Sequence, residues 1–381
     1  INEFDLSEPT TENEAVPATP AITPLTPVER VLRKIQRRLL PSSIPQTPKN
    51  KHSIDQSRVE AMLNTLFGDA THGLVIFDWV TLAEFHRNFA EAIIQGAQRR
   101  GFGNVSLPHG DTPYFNKMFK LGDLNYESVE HFQDNPSDCV VVPNPLTAER
   151  YTPYRNDDQL KIAGSPRYNS EWMGILDKLM PPYIRPASEG KLKVLLFLRN
   201  PVFPIFWEEV ITAIQMITQF PDVFLVVKHH TRGGSENTPH HREHLEMSKL
   251  NQMTAPNLEI EYNDVHSGSL IEWADVVMEL GTSISNEAIV HNKPLLALEF
   301  LHSNISTVAH YLPGTALRCK DDLYDALVIL RKDKTHHLYT AAERQHFIDE
   351  MIHYPDERVL ERFVDLLREQ LAKSQQVMSG L

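Results

Sequence analysis

Cysteine is almost missing from these 381 residues: Cys139 and Cys319 are the only two. They form neither a metal-ligand pair nor a disulfide framework, so a reducing, cytoplasmic setting fits best. No apolar run approaches the ~18 residues of a membrane span. Positive charge is in deficit, with 37 Lys and Arg against 50 Asp and Glu and a net charge of −13. That balance argues against a general nucleic-acid partner while leaving room for a local cationic pocket. Several signatures are missing as well. There is no GxxxxGK[ST], no GxGxxG after a strand, no HExxH and no GxSxG, which sets aside P-loop kinases, Rossmann dehydrogenases, zincins and α/β-hydrolases. No DxD carboxylate pair closes a strand, so no metal site is expected. A leader peptide is not visible either, because residues 1–27 are acidic and Pro/Thr-rich rather than basic and then apolar. The first residue is Ile rather than Met, which reads as a piece of a longer protein.

What is present divides into four stretches. Residues 1–53 combine a Pro/Thr-rich linker, expected to be disordered, with a basic amphipathic segment from Val28 to Pro41. Val28, Val31, Leu32, Ile35 and Leu39 share one helical face there, and Arg30, Arg33, Lys34, Arg37 and Arg38 add five positive charges. Such a helix suits a peripheral contact with an anionic membrane at its inner face. Its short length and lack of Trp or Phe favour plain packing on the domain behind it. Residues 54–185 alternate helix and strand, with strands expected at Gly73–Asp78, Asn104–Pro108, Cys139–Asn144 and Lys161–Gly164. After the Pro-rich PPYIRPASEG, residues 190–335 repeat the pattern with strands at Lys193–Arg199, Val223–Lys228, Leu258–Tyr262, Val276–Leu280 and Pro294–Glu299. Residues 336–381 are expected to be helical. Near-continuous apolar strands alternating with helices indicate parallel sheets covered on both faces. The expected fold is therefore α/β, with two doubly wound, Rossmann-like domains facing across a cleft.

In such sheets ligands sit at the carboxyl ends of strands, and the polar residues gather there. In the run from Ala274 to Glu299, a strand is followed by Gly281, Thr282, Ser283 and Ser285 and then by a helix carrying Glu287. A glycine and hydroxyls at a strand-to-helix junction offer backbone N–H groups and a helix dipole to a phosphate, and Glu287 is placed for a ribose. The same residues could simply cap the helix. Lys228 and His229 end another strand, where they suit a diphosphate, with His230, Thr231 and Arg232 behind them. Arg199 ends a third strand and is a further phosphate ligand candidate. Arg167, in Gly164-Ser165-Pro166-Arg167, can reach an anion or form part of an ordinary turn. His109 follows a buried strand and precedes Gly110, where it suits a general base, with Asp111 to orient it or to compete for the role. A turn histidine bonded to loop backbone is the plainer reading. In PHHREH (His240, His241, His244), His240 and His244 stand at i, i+4 without a third metal ligand, which favours a solvated helix face.

Four segments in order, LPHG (Leu107–Gly110), GSPRYNSEW (Gly164–Trp172), VVKHH (Val226–His230) and ADVVMELGTSISNEAIVHNKP (Ala274–Pro294), resemble the GT-B superfamily. More narrowly they resemble bacterial surface-polysaccharide glycosyltransferases and CDP-glycerol glycerophosphotransferases, over roughly residues 70–320. The resemblance implies an acceptor-side first domain with His109 as base and a second domain that binds a nucleotide sugar. In that second domain the hydroxyl turn and Glu287 would hold phosphate and ribose, and His229 the diphosphate. Two departures stand out. The strand-end His-Pro pair of those families is His229-His230 here, and the first domain is shorter than a full one. The implied activity is metal-independent sugar transfer to a surface-polysaccharide, glycan or lipid-linked acceptor, with the nucleotide sugar as substrate and no cofactor. The rival readings are a non-hydrolysing sugar-nucleotide epimerase, which shares the fold, and a non-catalytic nucleotide- or glycan-binding module.

Overall fold

The structure, a computed structural model, describes residues 56–78, 84–108, 135–199, 205–230, 249–261, 265–302, 305–354 and 356–379. The expectations for residues 1–53, for His109, Gly110 and Asp111, and for residues 231–248 with their histidines lie outside these. The described residues fall into two compact units. One holds helix α1 (Gln56–Phe67) and residues 84–96 of helix α2 (Glu84–Arg99); the other holds both sheets and everything after them. Among the described residues no helix is long and apolar enough to cross a membrane.

The first sheet has four parallel strands, β1 (Leu74–Phe77), β2 (Gly103–Ser106), β3 (Cys139–Val142) and β4 (Leu160–Ile162), in sequence order. The second has six. They are β5 (Leu192–Phe197), β6 (Val223–Lys228), β7 (Leu258–Glu261), β8 (Val276–Glu279), β9 (Leu295–Leu298) and β10 (Ala316–Leu317), in the spatial order β10-β9-β8-β5-β6-β7, all parallel.

Side chains alternate across a strand, and the second sheet uses both faces. Val194, Leu196, Leu225, Val227 and Met278 meet Val210, Ile214 and Ile217 of helix α5 (Trp207–Thr218) on one side. Helix α9 (Lys320–Lys332) adds Leu323, Leu327 and Leu330 there. Leu195, Phe197, Phe224 and Val277 meet helices α6 (Ser267–Trp273), α7 (Ile284–Val290) and α8 (Thr307–Tyr311) on the other. Burial on both faces explains why these strands read as unbroken apolar runs.

The tail is not one continuous helix. Helix α10 (Ala341–Phe347) passes into a π-helical turn over Ile348–His353, and α11 (Val359–Ser379) begins after a break. Pro355 lies between them in sequence and has no N–H with which to continue a helix. Two of the freed carbonyls find partners in the first half of the chain and a third within α11. Met351 O accepts from Asn144 Nδ2 at 3.2 Å, Ile352 O from Ser165 N at 2.7 Å, and His353 O from Arg362 Nη2. Val359, Phe363 and Leu366 of α11 then cover Val105, Cys139, Val141 and Ala163, so the end of the chain supplies one face of the first sheet's core.

Gly164 sits at this joint with φ of 87°. A Cβ there would lie 2.8 Å from Val359 Cγ2 and 3.1 Å from Ile352 O. Gly164→Ala is expected to destabilise the protein by ~1–3 kcal/mol, combining left-handed strain with a backbone clash. An unchanged melting temperature in calorimetry would refute this account of the joint.

Candidate functional site

In the second sheet the chain starts at β5, builds outward through β6 and β7, and returns to the other side of β5 with β8. The reversal falls at the carboxyl ends of β5 and β8, where the crevice of an open parallel sheet takes its ligands. The four described strands of the first sheet run in order and have no such reversal. Arg199 lies two residues beyond β5, Lys228 and His229 close β6, and Glu279 closes β8 ahead of Leu280 and the hydroxyl turn. Three segments singled out in distant parts of the sequence, Arg199, Lys228-His229 and the hydroxyl turn, thus follow the ends of neighbouring strands.

Their electrostatics differ. Arg199 is buried, and burial pulls its guanidinium down to about 9, against the attraction of Glu279; it remains a cation at neutral pH. Burial also lowers the His229 imidazole to about 4, helped by the Lys228 charge and opposed by a hydrogen bond to Asn251. His229 is therefore neutral at physiological pH. It can offer a phosphate a hydrogen bond but not a charge, and that role falls to Lys228 and Arg199.

The hydroxyl turn departs from its expected form. Gly281 takes φ of 73°, the left-handed region that favours glycine. The N–H groups of Gly281 and Thr282 are not open to a ligand, because both donate to Glu279 Oε2, the second at 2.8 Å. Helix α7 behind them has only 7 residues. Ser283 stands at its N-cap without a side-chain capping bond, and Ser285 donates to Thr282 O at 2.7 Å. Thr282 Oγ1 is buried and bonds to no other group of the protein. Of the two sequence readings, capping holds for none of the first-turn hydroxyls except the Ser285 back-bond. Neither the Thr282 nor the Ser283 hydroxyl caps the helix.

GSPRYNSEW, with its far-off counterpart, docks on this turn. Tyr168 is buried and donates from its hydroxyl to Ser283 O at 2.9 Å. Arg167 lies 3.8 Å from Glu287 Oε2, and Ser267 donates to the same carboxylate at 3.1 Å. Glu287 is almost wholly buried, held between α6 and the Arg167 loop. Arg167 is half exposed and also lies over the Tyr168 ring, 5.5 Å from its centroid.

Sequence reasoning missed Glu279. It is fully buried, Oε1 has no hydrogen-bond partner, and burial pushes its carboxyl up to about 8; Glu299 adds to the push, while the Gly281 and Thr282 N–H groups and Arg199 oppose it. The available signal was a lone Glu in an otherwise apolar strand, two residues ahead of the glycine. Tyr168 was quoted within its motif but given no role. Among the described residues no three His, Cys, Asp or Glu side chains gather as a metal site requires.

No family model matches the chain, and no curated protein is similar to it in sequence. Solved structures are similar in fold. The UDP complex of MnaA from S. aureus covers 84% of this chain and 80% of its own at 16% identity, with a TM-score of 0.54. A provisionally assigned UDP-N-acetylglucosamine 2-epimerase from Listeria monocytogenes covers 84% and 79% at 14% identity, TM-score 0.51. A TarM variant from S. aureus, in complex with Fondaparinux, alpha-GlcNAc-glycerol and UDP, covers 82% of this chain and 59% of its own at 10% identity, TM-score 0.50. The architecture they share with this chain is the GT-B fold.

Proposed function

We propose that this GT-B-fold chain is an enzyme that binds a nucleoside diphosphate sugar at the β5/β8 crevice and transfers the sugar to a glycan or surface-polysaccharide acceptor. The observation that carries the reading is the meeting of Arg199, Lys228, His229 and the Thr282–Ser283 hydroxyls at the one strand-order reversal of the second sheet. Two cations suit the two phosphates, and charge-assisted hydrogen bonds to phosphate are among the stronger ones proteins make. As the bond to the sugar breaks, negative charge grows on the departing diphosphate. Arg199, Lys228, the His229 N–H and the two hydroxyls would stabilise it in the role that a divalent ion takes elsewhere. Glu287 would hold the ribose, and Arg167, 3.8 Å from Glu287, would fix that carboxylate. His109, three residues beyond β2, would accept the proton of the acceptor hydroxyl, with Asp111 as its partner. The UDP complexes of MnaA and TarM support a uridine nucleotide as the first donor base to try.

A second reading, sugar epimerisation, has its support in the fold shared with the L. monocytogenes protein. Product analysis separates the two. UDP-, CDP- and GDP-sugars are incubated with and without a glycan acceptor, and free nucleotide and sugar nucleotide are resolved by chromatography. Acceptor-dependent release of nucleoside diphosphate is the expected result. Conversion of a UDP-sugar into its epimer without acceptor would replace transfer by epimerisation.

A further inference from the structure

Among the described residues, Glu279 is the buried carboxyl at the ends of β5 and β8 that the proposed transfer leaves unused. Its place is set by the sheet: it closes β8, so its side chain lies under the turn that β8 leads into. One oxygen is fixed by the Gly281 and Thr282 N–H groups, and the other has no hydrogen-bond partner although no solvent reaches the residue. Charged neighbours face it from each adjoining element. Arg199 comes from beyond β5, and Glu299 from beyond β9 with His302 3.5 Å from that carboxylate. Lys228 and His229 stand one strand further at β6, and Glu287 on α7 is turned to Ser267 and Arg167.

We propose that Glu279 is a positioning residue of the anion site, holding the Gly281–Thr282 turn in shape, and that binding a nucleoside diphosphate there draws a proton onto whatever fraction of this carboxyl is still ionised. The inference rests on the nucleotide reading of the crevice. Arg199 is the cation nearest in charge to Glu279 and also the one a phosphate would claim. When a diphosphate arrives, Glu279 loses part of its counter-charge and gains a second anion across the turn. In a buried site both changes favour the neutral acid. Burial has already brought this carboxyl up to about 8, so the acid is its main form at pH 7 and the uptake is read above that. The proton comes from solvent on binding and returns to it when the diphosphate leaves. The neutral acid still accepts both turn N–H groups through its carbonyl oxygen, so the turn survives the exchange.

The test is calorimetric titration, between pH 7.5 and 9, with whichever of UDP, CDP and GDP stabilises the parent protein most. Buffers of different ionisation enthalpy report the proton count. Above pH 7.5 the nucleotide's own phosphate is already ionised, its last pKa being near ~6. The parent should take up a fraction of a proton on binding, and its affinity should fall up to about tenfold per pH unit above the carboxyl's titration. Glu279→Gln, which keeps the acceptor oxygen without the titration, should bind with no proton uptake and a flat profile. Glu279→Ala, which loses the acceptor, should bind more weakly at every pH. Parent binding without proton uptake would overturn the coupling and leave the nucleotide site standing. A pH dependence that persists in Glu279→Gln would assign the titration to Arg199 or Lys228 and overturn it too. Failure of all three nucleotides to bind would remove the nucleotide site itself, and this inference with it.

Discussion

Turnover by His109→Ala is expected to fall about 10²–10⁴-fold, while affinity for the donor nucleotide stays at the parental value. The argument is one of division of labour. The acceptor hydroxyl must lose a proton as it attacks, and an imidazole is the side chain best matched to that task near neutral pH. His109 comes three residues after β2 in the sequence, whereas the proposed phosphate ligands belong to the second sheet. Removing the base should therefore leave the ground-state donor complex intact. Asp111→Ala is the companion variant. If it alone loses turnover, the carboxylate is the base and His109 a turn residue. Parental rates in both variants would place the catalytic group elsewhere. Steady-state rates with donor titration on each variant, checked for folding by circular dichroism, decide among these outcomes.

The second large effect is on stability. Glu279→Gln is expected to be more stable than the parent at pH 8, relative to the difference between them at pH 4, by on the order of a few kcal/mol. The sign follows from the direction of the shift. The folded-state carboxyl is raised from 4.5 to about 8 by burial, so between those values the folded protein holds a proton that the unfolded chain releases. That contribution is complete below the unfolded value and is lost as pH rises through the folded one. The parent should lose stability across this window, and Gln, which does not titrate, should not. His229 acts at the other end. Its folded value is depressed from 6.5 to about 4, so the stability it contributes is present above 6.5 and is lost as pH falls toward 4. Urea melts of both proteins from pH 4 to 9 measure the window. Parallel profiles would show that burial does not raise the Glu279 carboxyl.

Much of the fold can be read directly from the sequence, and the reason is burial on both faces. LKVLLF, VFLVVK, VVME and LLAL are all strands, and each alternates its side chains between two helical layers. Helix α5 was legible because Val210, Ile214 and Ile217 repeat with helical period and bury together. What escaped depends on non-local contacts. The two-residue β10 is too short for any pattern and exists by pairing with β9. The break after α10 goes with carbonyls taken up by Asn144 and Ser165, partners remote in sequence. At the site, strand ends and a glycine-hydroxyl junction marked Arg199, Lys228, His229 and Thr282 from composition and position alone. The commitment of the turn's N–H groups to Glu279 was not legible. A carboxyl two residues ahead of a glycine signals its role only when the glycine's left-handed φ is known to fold the turn back onto it. Arg167 and Tyr168 could be quoted as a motif, but their contacts with Glu287 and Ser283 cross more than a hundred residues of chain, as the 115-residue span of the Tyr168 bond illustrates.

The central claim is that the β5/β8 crevice binds a nucleoside diphosphate through its phosphates. Equilibrium titration of UDP, CDP and GDP, each beside its bare nucleoside, into the parent and into the Thr282→Ala/Ser283→Ala double variant tests it most directly. The account predicts that at least one diphosphate binds the parent far more tightly than its nucleoside. The folded double variant should lose ~1–3 kcal/mol of that affinity, the scale of hydrogen bonds to a charged group. Equal affinity of parent and double variant, or nucleosides that bind as well as their diphosphates, would contradict it.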